Sequence, residues 1–480
     1  MRWPERNRRP RVTVAAFAAG RRVTGSRGPS LNGTRGAVTA TAAVLALAGC
    51  GGLPIPSDSS TSPATSATLT REARWQQQIA DAHTSGSFSG ATVVDGVVAL
   101  QGSEHLTVLD ARTGKQRWRR PAGLEQQATV ADGVVAFVDQ SVGDDSPDPA
   151  RVEVVDLKTG KVLWKRAASN EDGSVAAFRD AVYTRDCPGA NETGCTMSKR
   201  ALRTGKALWT RPDTSVGRIV ASEAGPRPAD GGLRPPAEGR LVPYVPLYGE
   251  GGDRRRRAVD ARTGKSLRAA VAMPEGADPS FRENVAVTGK TLAHGRGSND
   301  DEQCRVRLDG YDARTGRRSW RADVRSCVVE RPSVDFSQYH VPGPDSGSVV
   351  VNDADGRLAI LDLDSGSPRW TSRSKAKPIA VAGDWVLARE SLESGPFSVW
   401  NVRTGEPAWQ TAEEDRVRIA AVVGDSVVID TENDGVVVRS AETGKERFAV
   451  PGEHLMGAGP GWLVTSGTAG GTTSYFELDR

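Results

Sequence analysis

Short runs of alternating apolar and polar residues recur along this chain: LTVLD at 106–110, RVEVVD at 151–156 and KVLW at 161–164 are three of them. A period of two sets alternate side chains on opposite faces, so each run reads as a half-buried β-strand. The runs come in pairs about a fixed element. VLDARTGKQRW (108–118) is followed by VVDLKTGKVLW (154–164), and later by GYDARTGRRSW, ILDLDSGSPRW and VWNVRTGEPAW. In each copy the central TG reverses the chain, with glycine taking the positive φ that a tight hairpin demands. Upstream lies a second hairpin signal, ATVVDGVVAL, ATVADGVVAF or IAVAGDWVLA, each a short strand, a turn and a strand. Each unit thus holds four strands.

The turn glycines are Gly114, Gly160, Gly205, Gly264, Gly316, Gly366, Gly405 and Gly444, spaced 46, 45, 59, 52, 50, 39 and 39 residues apart. Those intervals bracket one four-stranded propeller blade. Four residues before the glycine stands Asp110, Asp156, Asp260, Asp312 or Asp362, whose carboxylate can accept hydrogen bonds from turn amides. Four residues after it stands Trp118, Trp164, Trp209, Trp320, Trp370 or Trp409. A ring of that size at one place per sheet serves best as a wedge between blades. The pattern has departures. Ala201, Asn401 and Ser440 replace the aspartate, while Arg268 and Phe448 replace the tryptophan, so the fourth unit lacks its aromatic wedge.

A radial array leaves few exposed edges, whereas a linear solenoid would need capping units. The chain ends look complementary instead. TSYFELD at 473–479 has a third-strand pattern with no turn after it, and REARWQQQI around Trp75 has a Trp-strand pattern with no turn before it. Together they would share one blade. Eight turns and a shared blade make nine, whereas propellers typically have four to eight. Eight blades are expected, with nine the alternative.

These units resemble the pyrroloquinoline-quinone-type repeat shared by quinoprotein alcohol dehydrogenases and by BamB, the propeller lipoprotein of the outer-membrane β-barrel assembly machinery. The resemblance covers roughly residues 75–480 and implies an all-β, PQQ-like β-propeller. Quinoprotein dehydrogenases hold their quinone under a disulfide between adjacent cysteines and supply Glu, Asn and Asp to calcium. This sequence has no adjacent cysteines. NDADGR at 352–357 begins like a calcium loop, but Arg357 falls where an oxygen ligand is needed, so it reads as a hairpin. No bound cofactor and no metal are expected.

The N-terminus changes the picture. Basic residues up to Arg35 precede the apolar stretch GAVTATAAVLALAGC, the core of a signal peptide. It ends in Leu47, Ala48, Gly49 and Cys50, which resembles the lipobox of bacterial lipoproteins and implies that Cys50 is lipidated and becomes the first mature residue. The basic lead-in is longer than usual, and a start at Val23 would shorten it. Residues 1–49 are expected to form the signal peptide. Residues 50–70, rich in Ser, Thr and Pro, would be a flexible tether of about 25 Å. Residues 71–480 would be a single propeller domain.

Cysteine usage agrees with export. Five cysteines less Cys50 leave an even number. Cys187 and Cys195 flank the turn-rich PGANETG and are expected to bridge each other, leaving Cys304 and Cys327 as the second pair, as suits an extracytoplasmic compartment.

Charge excludes one class of partner. With 63 basic and 59 acidic residues the net charge is +4, no footprint for nucleic acid. Arg254, Arg255, Arg256 and Arg257 form the one dense basic run, read first as a solvated strand and loop and second as a docking patch for an acidic partner or anionic lipid. No nucleophile elbow, P-loop or H-E-x-x-H motif occurs. The expected protein is a non-catalytic, lipid-anchored scaffold binding unnamed envelope proteins, extracytoplasmic, on the outer face of the cytoplasmic membrane if the organism is Gram-positive. The alternatives are a small-ligand-binding or sensor propeller and, remotely, a quinone-dependent oxidoreductase.

Overall fold

The computed structural model describes residues 71–79, 90–102, 105–121, 128–139, 151–167, 175–178, 181–186, 196–212, 244–247, 255–260, 262–272, 285–288, 290–297, 305–325, 327–328, 331–332, 341, 347–390, 395–411, 417–431, 435–467 and 471–478. The signal peptide, lipobox and tether of the sequence reading lie outside them.

Every element among the described residues is a strand or a turn, and the chain folds as an all-β propeller of antiparallel sheets. Unit 1 shows the plan: Gly90–Val94, Val97–Gln101, His105–Asp110 and Gln116–Pro121 lie side by side in chain order. Its first hairpin turns on Asp95 and Gly96 at φ 50° and 74°, and that of unit 2 on Asp132 and Gly133 at 36° and 73°. Two consecutive positive φ values match the right-handed twist of the flanking strands, which is why Asp-Gly stands there.

Each of the eight turns falls in its own unit, between the strand that ends four residues before the glycine and the strand that carries the Trp position. Units 4 and 6 show three strands among the described residues, and units 5 and 6 join through the single pair Arg325–Asn352. A further sheet carries no such turn. It consists of Glu453–Gly459, Trp462–Gly467 and Thr472–Glu477, with Trp75–Gln78 added as its fourth strand in the register Trp75–Tyr475. The two ends of the domain thus meet in one closing sheet.

Apolar cores lie between successive sheets. Leu106, Val108 and Trp118 of unit 1 pack on Val135, Phe137, Val155 and Leu157 of unit 2, while Val98, Leu100 and Leu109 on the opposite face of unit 1 pack on Met456, Val464 and Tyr475 of the closing sheet. Middle strands such as Val97–Gln101 are buried on both faces, whereas the outer strand Gln116–Pro121 buries only Trp118. LTVLD and RVEVVD, expected to be half-buried, are instead covered on both faces, because a middle strand lies between two neighbouring sheets; only the outer strand is buried on one face.

Candidate functional site

The repeated turn is the feature most often written in the sequence, and its geometry shows how its residues are used. All eight glycines have φ between 66° and 72°. In unit 1 the Gly114 amide donates to the Asp110 carbonyl (2.8 Å) and the Asp110 amide to the Lys115 carbonyl (2.9 Å). The same two bonds recur in the other seven copies, including those with Ala201, Asn401 and Ser440. Backbone bonding alone therefore closes the turn.

The aspartate adds to it. Asp110 accepts from the amides of Arg112 (3.1 Å) and Thr113 (2.9 Å) and from the Thr113 hydroxyl (2.9 Å). Arg117 donates to its second oxygen, and this guanidinium with the Thr113 hydroxyl holds the carboxyl at about 2. Asp312 is lowered by the bonds from the Thr315 side chain and amide. Partial burial pushes Asp156 and Asp362 up, but hydrogen bonds from Thr159 and Arg203, and from Ser365 and Arg369, outweigh it and leave both low. Asn401 replaces the carboxylate with an amide oxygen that accepts from the amides of Arg403 (2.8 Å) and Thr404 (3.1 Å).

Each tryptophan reaches into the unit that follows. The Trp118 Nε1 donates to the carbonyl of Leu157 (2.8 Å), three residues before Gly160. Trp164 does the same to Leu202 (2.9 Å), Trp320 to Leu363 (2.9 Å), Trp370 to Val402 (2.5 Å) and Trp409 to Ala441 (2.7 Å). Trp209 lies against Gly264, the corresponding glycine of unit 4. In the closing sheet Trp75 takes the same role, donating to the Ala111 carbonyl (2.8 Å) beside Gly114. Phe448 has no turn to cover, since the closing sheet lacks one. It stacks on Phe476 at 6.0 Å instead. Arg268 lies in the strand Ser266–Ala272, so the turn at Gly316 receives no tryptophan from unit 4.

Other residues singled out in the sequence are dispersed. Arg255, Arg256 and Arg257 begin the strand Arg255–Asp260, paired on both sides, and Arg254 lies outside the described residues. Cys327 begins a two-residue strand, Cys327–Val328, paired with Arg331–Pro332. Cys50, Cys187, Cys195 and Cys304 lie outside the described residues. The NDADGR segment is the hairpin between Ser348–Asn352 and Arg357–Asp362. There Arg357 pairs with Asp353 (2.9 Å) and Asp355 (2.8 Å), and so takes the oxygens a cation would need.

Three buried carboxylates escaped the sequence reading. Glu153, 2% exposed, is paired with Arg120 of unit 1 (2.8 Å) and with Lys165 of its own sheet. Asp430, fully buried, faces His454 Nδ1 (3.1 Å) and accepts from the Leu455 amide (3.0 Å), tying unit 8 to the closing sheet. Asp309, also fully buried, gathers Arg321 (3.0 Å), Arg296 (3.3 Å), Arg307 (3.6 Å) and Arg318 (3.8 Å). In an alternating strand such acids read as the solvent face. The available signal was position: Glu153 and Asp309 each stand seven residues before a turn glycine, on a middle strand. Among the described residues no three His, Cys, Asp or Glu side chains come together as metal ligands, and no helix is long and apolar enough to cross a membrane.

Several solved structures and one curated sequence are similar to parts of this chain. The crystal structure of BamB from Moraxella catarrhalis superposes with a TM-score of 0.41 at 12% identity, covering 84% of this chain and 100% of that one. Quinohemoprotein alcohol dehydrogenase from Comamonas testosteroni gives 0.44 at 14% identity, covering 86% of this chain and 79% of that one. In sequence, the outer membrane protein assembly factor BamB of Burkholderia pseudomallei is 28% identical over 104 residues, 20% of this chain. The chain spans about a quarter (24%) of the length of that curated relative. The model of one family matches residues 64–231 and 202–450, nearly all of the repeat region. On that match the chain belongs to the family described as outer membrane protein assembly factor BamB.

Proposed function

We propose that this protein is a non-catalytic interaction scaffold of the cell envelope, extracytoplasmic and held to a membrane by lipid on Cys50. The observation that carries the reading is how the repeated residues are occupied. Indole N–H groups are bonded to carbonyls of the next unit, and motif carboxylates are bonded to turn amides. A side chain committed in this way from copy to copy is a fixture of the scaffold: the single indole donor is used, and the carboxylate oxygen that faces the turn already accepts two or three bonds. Membership of the BamB family supports an envelope location and protein partners. The lipobox and the even number of remaining cysteines support export and anchoring.

The direct test is crosslinking in the native envelope followed by mass spectrometry, with wild type beside Cys50→Ser. Reproducible recovery of the same envelope protein by the wild type, reduced when Cys50→Ser leaves the membrane fraction, is the expected result. Recovery of no reproducible partner would refute the scaffold reading.

A further inference from the structure

We propose that the repeated turns of units 1 to 5 form a basic surface that docks on a membrane rich in anionic lipid; the proposal rests in part on the lipid anchor of the reading above. In an antiparallel four-stranded unit the first hairpin turn and the repeated turn stand at the same end of the sheet, because each joins an odd strand to an even one. The indoles set these ends side by side. Trp75 covers Gly114, and the series continues to Trp209 on Gly264, so the turns of units 1 to 4 lie in a row. Thr288, at the first turn of unit 5, donates to Asp364 in the repeated turn of unit 6 (2.5 Å) and aligns those two units. The chain also leaves toward Cys50 at this end. Trp75–Gln78 is the fourth strand of its sheet, and just before it the Arg74 Nε donates to the Arg112 carbonyl in the turn of unit 1 (3.2 Å).

Charge divides this face in two. In each of units 1 to 5 the residue two before the turn glycine and the residue after it are both basic and exposed, from Arg112 and Lys115 in unit 1 to Arg314 and Arg317 in unit 5. Units 6 to 8 place Asp364 and Ser367, Arg403 and Glu406, and Glu442 and Lys445 there, also exposed. With the motif acids and the described first-hairpin turns counted, units 1 to 5 carry eleven cations against six carboxylates, and units 6 to 8 two against six. The motif acids turn inward: Asp110, Asp156, Asp260 and Asp312 each accept from an amide of their own turn. Among the described residues, Arg203 alone of the ten repeated-turn cations of units 1 to 5 is in an ion pair, with Asp156 (3.1 Å).

Two cations on each of five turns make a broad array, the form that meets a plane of headgroup phosphates; a small anion would engage one or two of them. Attraction to an anionic leaflet acts within about a Debye length, some 8 Å at physiological salt, and grows with each cation brought that close. Twenty residues separate Cys50 from Arg71, a span of about 25 Å for an unstructured chain. An anchor there holds the unit 1 end of the array near the bilayer, and the acidic turns of units 6 to 8 are repelled from it.

The test adds the protein purified from the envelope fraction to vesicles of phosphatidylcholine, with or without phosphatidylglycerol, and maps lysine acetylation by mass spectrometry. Flotation with both vesicles is expected from the anchor. With phosphatidylglycerol present, Lys115, Lys161, Lys206 and Lys265 should be acetylated about five-fold less than without it, and high salt should abolish the difference. Lys375, at the far end of the strand Pro368–Lys375 and about 25 Å from its turn, should be acetylated equally on both. In a Cys50→Ser background, Lys115→Gln, Lys161→Gln, Lys206→Gln and Lys265→Gln together should weaken binding to phosphatidylglycerol vesicles about ten-fold or more. Arginine at the same four places should restore binding, and the melting point should stay unchanged throughout. Equal acetylation on the two vesicles, or unchanged binding of the glutamine variant, would overturn the proposal. So would protection of these lysines in native envelopes but not on phosphatidylglycerol, which would assign the face to an acidic protein. Failure to float with phosphatidylcholine refutes the lipid anchor alone, since salt-sensitive protection on phosphatidylglycerol is read separately.

Discussion

Trp118 lies across Gly160 of the following unit so closely that a Cβ on the glycine would stand 2.6 Å from the indole Cγ. The same pairing joins Trp75 to Gly114, Trp164 to Gly205, Trp370 to Gly405 and Trp409 to Gly444. Glycine is needed here twice over, once for its positive φ and once for the ring that covers it. Gly160→Ala should therefore cost at least about 2 kcal/mol, combining left-handed strain of about 1–2 kcal/mol with the steric clash. Trp118→Ala should cost about 3–5 kcal/mol, and Trp118→Phe, which keeps a ring but loses the bond to the Leu157 carbonyl, about 1 kcal/mol beyond its packing loss. Urea denaturation of the three variants measures the order.

Acid should loosen the turns within a defined window. The motif carboxyls sit below their ordinary value, Asp110 at about 2 and Asp156, Asp312 and Asp362 lowered. A depressed folded value means that the contribution is complete above the unfolded pKa of about 3.9 and is lost as pH falls through the folded value. Stability should then decline between about pH 4 and pH 2. Asp312→Asn should keep the fold at neutral pH, since Asn401 already fills this place in unit 7, and should flatten the acid limb of the melting curve. Asp312→Ala should lower the melting point at pH 7. A wild-type curve with no decline below pH 4 would contradict the assignment.

Removing a cation from Glu153 should cost more than removing the acid. Arg120→Met leaves a carboxylate 3% exposed with only Lys165 beside it, whereas Glu153→Gln releases two cations that are 30% and 43% exposed and can turn to water. The arginine variant should lose about 3 kcal/mol and the glutamine variant about 1 kcal/mol in equilibrium unfolding.

The closing sheet meets unit 1 at a second close approach, where a side chain on Gly457 would run into the carbonyl of Ala91. Gly457→Val should push these inner strands apart. Faster amide exchange in Gly90–Val94 and Glu453–Gly459 and a lower melting point are expected, with the outer strands of units 4 to 6 unchanged.

Much of this was legible in the sequence, and the limits have physical causes. The turn glycines, the strand alternation and the complementary ends carry local or periodic signals, so TSYFELD and REARWQQQI could be placed in one sheet from pattern alone. The partner of each indole could not be read. Trp118 and the Leu157 carbonyl are 39 residues apart, and nothing local to either marks the other. Phe448 looked like a lapse from the motif, yet the turnless sheet next to it supplies Phe476 as its partner. Asp309 was hidden because Arg307-Leu308-Asp309 alternates as an exposed strand would. Counting turns gives eight units, and the sheet formed by the chain ends is additional to them.

The repeat residues join sheet to sheet and leave no reagent among them. The most direct measurement offers the purified chain pyrroloquinoline quinone with calcium and follows absorbance and melting point together. No retained chromophore and an unchanged melting point are predicted. A stoichiometric chromophore that survives gel filtration, raises the melting point and quenches the indoles would mean that the repeats hold a reagent after all.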